Sequence, residues 1–197
     1  LGCDFTYGTL WPFSSYTLPE KYWTRSFYNK KGEANRNITW EHPRMAHILN
    51  HLDSEAFDYY AAEMNEGLKE AFKGSKSGVF VDSWEVETRQ LWTEGFGEKF
   101  YEKFGYKIEP LMDKLYDKGY EDVYYDYMTL MSDYVLYEFY KPFTDNAHSQ
   151  GAFARSQCGG APADLLTAFM IVDVPETEAI LYEPNYGRIP ASAAALA

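Results

Sequence analysis

The chain has 197 residues, enough for one domain with a sizeable core. Its 46% hydrophobic content excludes a disordered segment, and a formal net charge of −12 argues against a nucleic-acid partner, whose phosphates want basic patches. No apolar run approaches the roughly 18 residues that a membrane span needs.

The first residues, "LGCDFTYGTLW", carry no initiator Met, no basic region and no cleavage pattern. The expectation is a removed signal or a piece of a longer polypeptide. The segment reads as a strand ending in loop chemistry. Residues 12–45 are rich in Pro, Asn, Lys and aromatics without clear period, which predicts a long loop, and such loops are usually functional. Asp53 is a helix cap, with Leu52 and Phe57 spaced as a hydrophobic staple. Phe57, Tyr60, Ala61, Met64, Leu68, Ala71 and Phe72 then follow the helical period, and Gly74 stops it. "GVFVDSW" predicts a strand.

Phe96, Phe100 and Phe104 share one helical face, with Gly105 as the stop. Pro110 opens a short helix running to about Gly119. Residues 121–140 predict a long helix closed by Pro142. "GAFARSQ" predicts a strand, "PADLLTAF" a short helix, "MIVDVPETE" a strand breaking into acid, and "PASAAALA" the start of another helix. Alternating strands and helices predict an α/β fold with parallel strands. The terminal helix is short against the usual three turns, so the chain reads as a fragment of a larger barrel or open sheet.

Two predicted strands end in carboxylates: Asp82 and Glu85 in one, Asp173, Glu176 and Glu178 in the other. Strand exits are where (β/α) barrels do chemistry. Paired acids there can share protons or hold a cation. With no Ser–His or Cys–His pattern, they suit glycoside hydrolysis, in which one carboxylic acid protonates the leaving oxygen and a second carboxylate activates water or attacks. The competing reading is that these acids cap helices or face solvent. Aromatics make up 18% of the chain, which fits either a ring-rich core or a cleft that stacks on sugars.

His42, His47, His51 and His148 lack zinc spacing and read as surface or loop residues, with His42 the foremost cleft candidate. Arg155 can pair with a strand-end acid or bind substrate oxygens. Cys3 and Cys158 form no metal motif and are expected as free buried thiols, with a disulfide between them as the alternative that spacing does not decide. Asn37 opens a glycosylation-type triplet, a pattern common by chance.

Several segments together resemble the large bacterial α-L-rhamnosidases of glycoside hydrolase family 106. "YGTLWPFS" is similar to that family's Gly-Thr-Gly-Trp-Pro-Phe segment, with Leu10 in place of a Gly. "ILNHLDSEAFDYY" resembles the lead into an early barrel helix. "VFVDSWEV" and the "LWTEGFGEKFYEKFGYKIEPLM" that follows resemble its Asp-Ser-x-Glu strand end and Trp-Thr helix. "GGAPADLLTAFMIVDVPETEAI" resembles its Gly-x-Pro-x-Asp and Asp-x-Pro-Glu-Thr-Glu block. "PASAAALA" resembles a small-residue helix.

The resemblance implies an α/β fold that is part of a (β/α)8 TIM-type barrel, truncated at the C-terminus, with residues 1–197 its central portion. It implies inversion at the anomeric carbon, a carbohydrate substrate, a calcium cofactor, and a bacterial protein secreted or held in the periplasm. Glu85 would be the general acid. Asp82, Trp84, Trp11, His42, Arg155 and Glu178 would meet the substrate, and Glu176 and Glu178 would hold calcium. The general base would lie past Ala197, in the remainder of the same polypeptide. The alternative class is a non-catalytic carbohydrate-binding or structural protein on a degenerate barrel.

Overall fold

The computed structural model describes residues 23–24, 48–74, 76–84, 90–177 and 187–197. Within the long segment read as loop, β1 (Trp23–Thr24) pairs antiparallel with β2 (Ile48–Leu49). The predicted N-terminal strand, Cys3 and Asn37 lie outside the described residues.

Helix α1 (Ser54–Phe72) starts where the sequence places it. Asp53 is extended, and its side chain accepts from the Glu55 N–H at 3.0 Å, satisfying one of the free donors of the first turn. Leu52 and Phe57, the staple pair, are both buried, and Gly74 adopts φ +70° past the end. Ala71, predicted on the apolar face, is exposed. β3 (Gly78–Val81) follows. α2 (Phe96–Phe104) buries Phe96 and Phe100 and stops at Gly105, which is left-handed at φ +80° and donates its N–H to Tyr101 O at 2.8 Å. A 3-10 turn over Glu109–Lys114, with Pro110 in its first turn, is all that forms of the next predicted helix.

The expected stop at Pro142 is overturned. The chain stays helical from α3 (Glu121–Tyr134) through a π-helical turn, Val135–Tyr140, into α4 (Lys141–Ser149). In an α-helix the proline ring would press on the carbonyl four residues back. Here the Lys141 N–H reaches back to Leu136 O, the i to i−5 pattern, and this wider turn accommodates Pro142 just after it.

β4 (Phe153–Ser156) leads to α5 (Leu165–Ile171), whose cap Asp164 accepts from Thr167 N at 2.9 Å. α5 absorbs Met170 and Ile171, so the predicted strand "MIVDVPETE" shrinks to β5 (Val174–Pro175). The capped apolar run wins those residues for the helix. α6 (Arg188–Leu196) closes the described part.

β3, β4 and β5 form a parallel sheet in that spatial order. The described residues are thus a mixed α/β fold with a small parallel sheet. Alternate residues of a strand point to opposite faces. Val79, Val81 and Ala154 point into the single core that the helices build, and Ser156 is buried on that side too. Phe80, Phe153, Arg155 and Val174 belong to the other face and lie outside that core. No helix among the described residues is long and apolar enough to cross a membrane.

Candidate active site at the strand exits

The register fixes what meets at the C-terminal ends of the sheet. Phe80 pairs with Arg155 and Arg155 with Val174; one step on, Val81 pairs with Ser156 and Ser156 with Pro175. The ladders continue one residue further, through Gln157 N to Val81 O at 3.2 Å and Glu176 N to Ser156 O at 2.9 Å. The next row across three neighbouring strands is therefore Asp82, Gln157 and Glu176. Alternation puts this row on the face away from the helices, directly beyond Phe80, Arg155 and Val174.

Glu176 is held by Arg155. The Nε of Arg155 donates to Oε1 at 2.5 Å and Nη2 to Oε2 at 3.1 Å, a two-pronged pair. The guanidinium also lies over the Phe80 ring, 5.4 Å from its centre. These bonds raise the arginine's pKa further above its ordinary value, which keeps it a permanent cation. Asp82 is half-buried, and its Oδ1 accepts from the Ser83 N–H at 2.8 Å. Gln157 Oε1, in this row, and Thr177 Oγ1, just past it, are buried oxygens with no hydrogen-bond partner among the described residues. Unpaired buried polar atoms are costly and call for an explanation.

The exits are braced from behind. Trp84 N donates to Gly159 O at 2.6 Å, tying the β3 exit to the β4 exit. The Trp84 ring is buried edge-on to His51 at 5.1 Å and to Phe139 at 6.1 Å. It is a packing residue in this structure, not an exposed platform. His51 is 4% exposed, which corrects its reading as a surface histidine; it is wedged between Trp84 and Phe139, the latter supplied by the π turn. Asn50 at the β2 exit donates to Thr93 Oγ1 at 2.9 Å. Tyr127 in α3 donates to Leu91 O at 2.7 Å and accepts from Leu91 N at 2.8 Å, anchoring the segment that follows β3.

Asp173, read with Glu176 as a strand-end acid, sits at the opposite end of β5. It accepts from the Ala154 N–H at 2.7 Å and meets His148 Nε2 at 2.9 Å, fastening the N-terminal ends of β4 and β5 to α4. Two extra helical residues in α5, Met170 and Ile171, move the strand start past it. His148 is exposed, as expected. Cys158 is a free, buried thiol in the β4 exit, with burial pushing its pKa up to about 12.

Of the sequence-predicted site residues, Asp82, Glu176 and Arg155 converge. Trp84 stands behind them. Glu85, Glu178, Trp11 and His42 lie outside the described residues. Sequence reading missed Gln157, whose only signal is its place next to a strand end. Among the described residues no three His, Cys, Asp or Glu side chains form a metal group. Both oxygens of Glu176 are bonded to the Arg155 cation and no other carboxylate among the described residues joins them, so these residues do not fit a calcium shell centred on Glu176. No protein-family model matches the chain, and no curated protein matches it.

Proposed function

We propose that the chain is part of a glycoside hydrolase of the α-L-rhamnosidase type, built on a (β/α)8 barrel and acting by inversion with two carboxylates. The observation that carries this reading is the row Asp82, Gln157 and Glu176 at the C-terminal ends of three adjacent parallel strands. Enzymes on such barrels work at that end of the sheet. The row is rich in acceptors, and Gln157 Oε1, unpartnered among the described residues, wants a donor. Sugar hydroxyls are donors. Strands lie about 4.8 Å apart, so Asp82 and Glu176 are separated by about 10 Å of sheet, room for a sugar ring.

In this reading Glu85, three residues past Asp82 in the sequence, is the general acid. The base comes from the strand that follows the Ala-rich helix in the family. Asp82 and Gln157 accept from substrate hydroxyls, and Arg155 holds Glu176 in place beside them. The substrate is a plant or microbial glycoside met outside the cytoplasm, by a secreted or periplasmic protein. The test is turnover of rhamnosides by Glu85→Gln. Natural glycosides, with poor leaving groups, should lose roughly 10²–10⁴-fold, and activated aryl glycosides less. Near-normal turnover of natural glycosides would remove Glu85 from the mechanism.

A second reading, a carbohydrate-binding protein without catalysis, is favoured by one observation. Arg155 pairs with Glu176, which leaves Asp82 as the one carboxylate of the described row not held by a cation, and a single such acid suits binding rather than two-carboxylate hydrolysis. Calorimetric binding of the same glycosides with no hydrolysis by the wild-type protein would decide for it.

A further inference from the structure

The family resemblance brings a calcium ion to Glu176, and the geometry disagrees. Calcium takes 6–8 oxygen ligands at about 2.3–2.6 Å, and a ligating carboxylate must turn free lone pairs toward it. Each Glu176 oxygen instead faces its own guanidinium N–H, from Nε and from Nη2. A divalent ion at bonding distance would sit against a permanent positive charge. The guanidinium is not free to swing aside without cost, because Phe80 stacks beneath it and the register places Phe80 directly opposite Arg155. Arg155 and Val174 are paired in the adjacent ladder, so Glu176 lies two residues further along the same face, within the natural reach of the arginine.

We infer that Arg155 is the built-in counter-cation of Glu176, filling one lone pair on each oxygen and setting a permanent positive charge against the carboxylate, so that any calcium the protein binds is ligated without Glu176. The role of Arg155 is positioning. It fixes the plane of the Glu176 carboxylate at the edge of the row and sets the local charge without a metal. Calcium binding, not hydrolysis, is the readout, so this inference stands or falls separately from the proposed activity.

The experiment is calorimetric titration of calcium into the metal-stripped protein and its variants. Glu176→Gln should bind calcium with the same stoichiometry as wild type, including none if wild type binds none. Arg155→Gln should gain one site, because it frees both carboxylate oxygens, and the double variant with Glu176→Gln should lose that gain. Loss of a site in Glu176→Gln alone overturns the inference. A measurement without substitution settles the case if a variant fails to fold. Crystals of the wild-type protein grown in excess calcium should keep Arg155 on Glu176, and a calcium ion bonded to a Glu176 oxygen would overturn it.

Discussion

Glu138, in the π turn, reaches across to the start of α1 and caps it. Its Oε2 accepts from the Ser54 hydroxyl at 2.6 Å and from the Ser54 N–H at 3.3 Å. The same turn supplies Phe139 to the His51 and Trp84 rings behind the strand exits. One irregular turn thus joins a helix start to the wall of the candidate site. Glu138→Ala should cost about 1–2 kcal/mol, the range for losing a cap and a charge-assisted bond. Chemical denaturation measures it, and an unchanged midpoint would show that the cap contributes nothing.

Tyr127→Phe removes one hydroxyl and two hydrogen bonds at once, since that hydroxyl serves both the N–H and the carbonyl of Leu91. Leu91 is buried, so water replaces neither bond well. The loss should be about 2–3 kcal/mol, with faster amide exchange at Leu91. Retained exchange protection there would mean that the segment is held by other contacts.

Gly160→Ala should loosen the tie between the β3 and β4 exits. Gly160 has φ +74°, and an added Cβ would meet Trp84 O at 3.2 Å. The left-handed conformation alone costs a side-chain residue about 1–2 kcal/mol. Stability should fall by at least that, and Trp fluorescence should report a more open indole environment. A variant as stable as wild type would show that the exit backbone can shift freely.

Alkaline pH should destabilise the fold. Burial pushes the Cys158 thiol from 9.0 to about 12 and the Tyr134 phenol from 10.0 to about 12, and it raises Tyr127 and Tyr140 as well. The fold thus favours the neutral forms. Their contribution is complete below the ordinary values and is lost as pH rises from about 9 towards about 12. The midpoint of thermal unfolding should fall steadily above about pH 9, and Cys158→Ala should delay the onset. A flat profile to about pH 11 would contradict this. In the native protein Cys158 should resist alkylation near pH 8, read by peptide mass mapping, because the thiolate is the reactive form.

Much of the local structure was legible in the sequence because its signals are local. Asp53 caps α1, Gly74 and Gly105 end helices, and Phe96 and Phe100 face inward, each decided by neighbours a few residues away. The strands "GVFV" and "FARS" and the acid that follows the first were equally plain. Tertiary structure decided the rest. Whether Met170 and Ile171 end a helix or start a strand depended on the cap at Asp164 and the packing of α5, and that choice sent Asp173 to one end of β5 and Glu176 to the other. Pro142 stops an ordinary helix but not one widened by a π turn, and periodicity does not show the turn. His51 became a core residue only because Trp84 and Phe139, distant in sequence, close around it. Composition placed acids near strand ends. Only the strand register, set by hydrogen bonds between segments far apart in the chain, brought Asp82, Gln157 and Glu176 into one row and set Arg155 against Glu176.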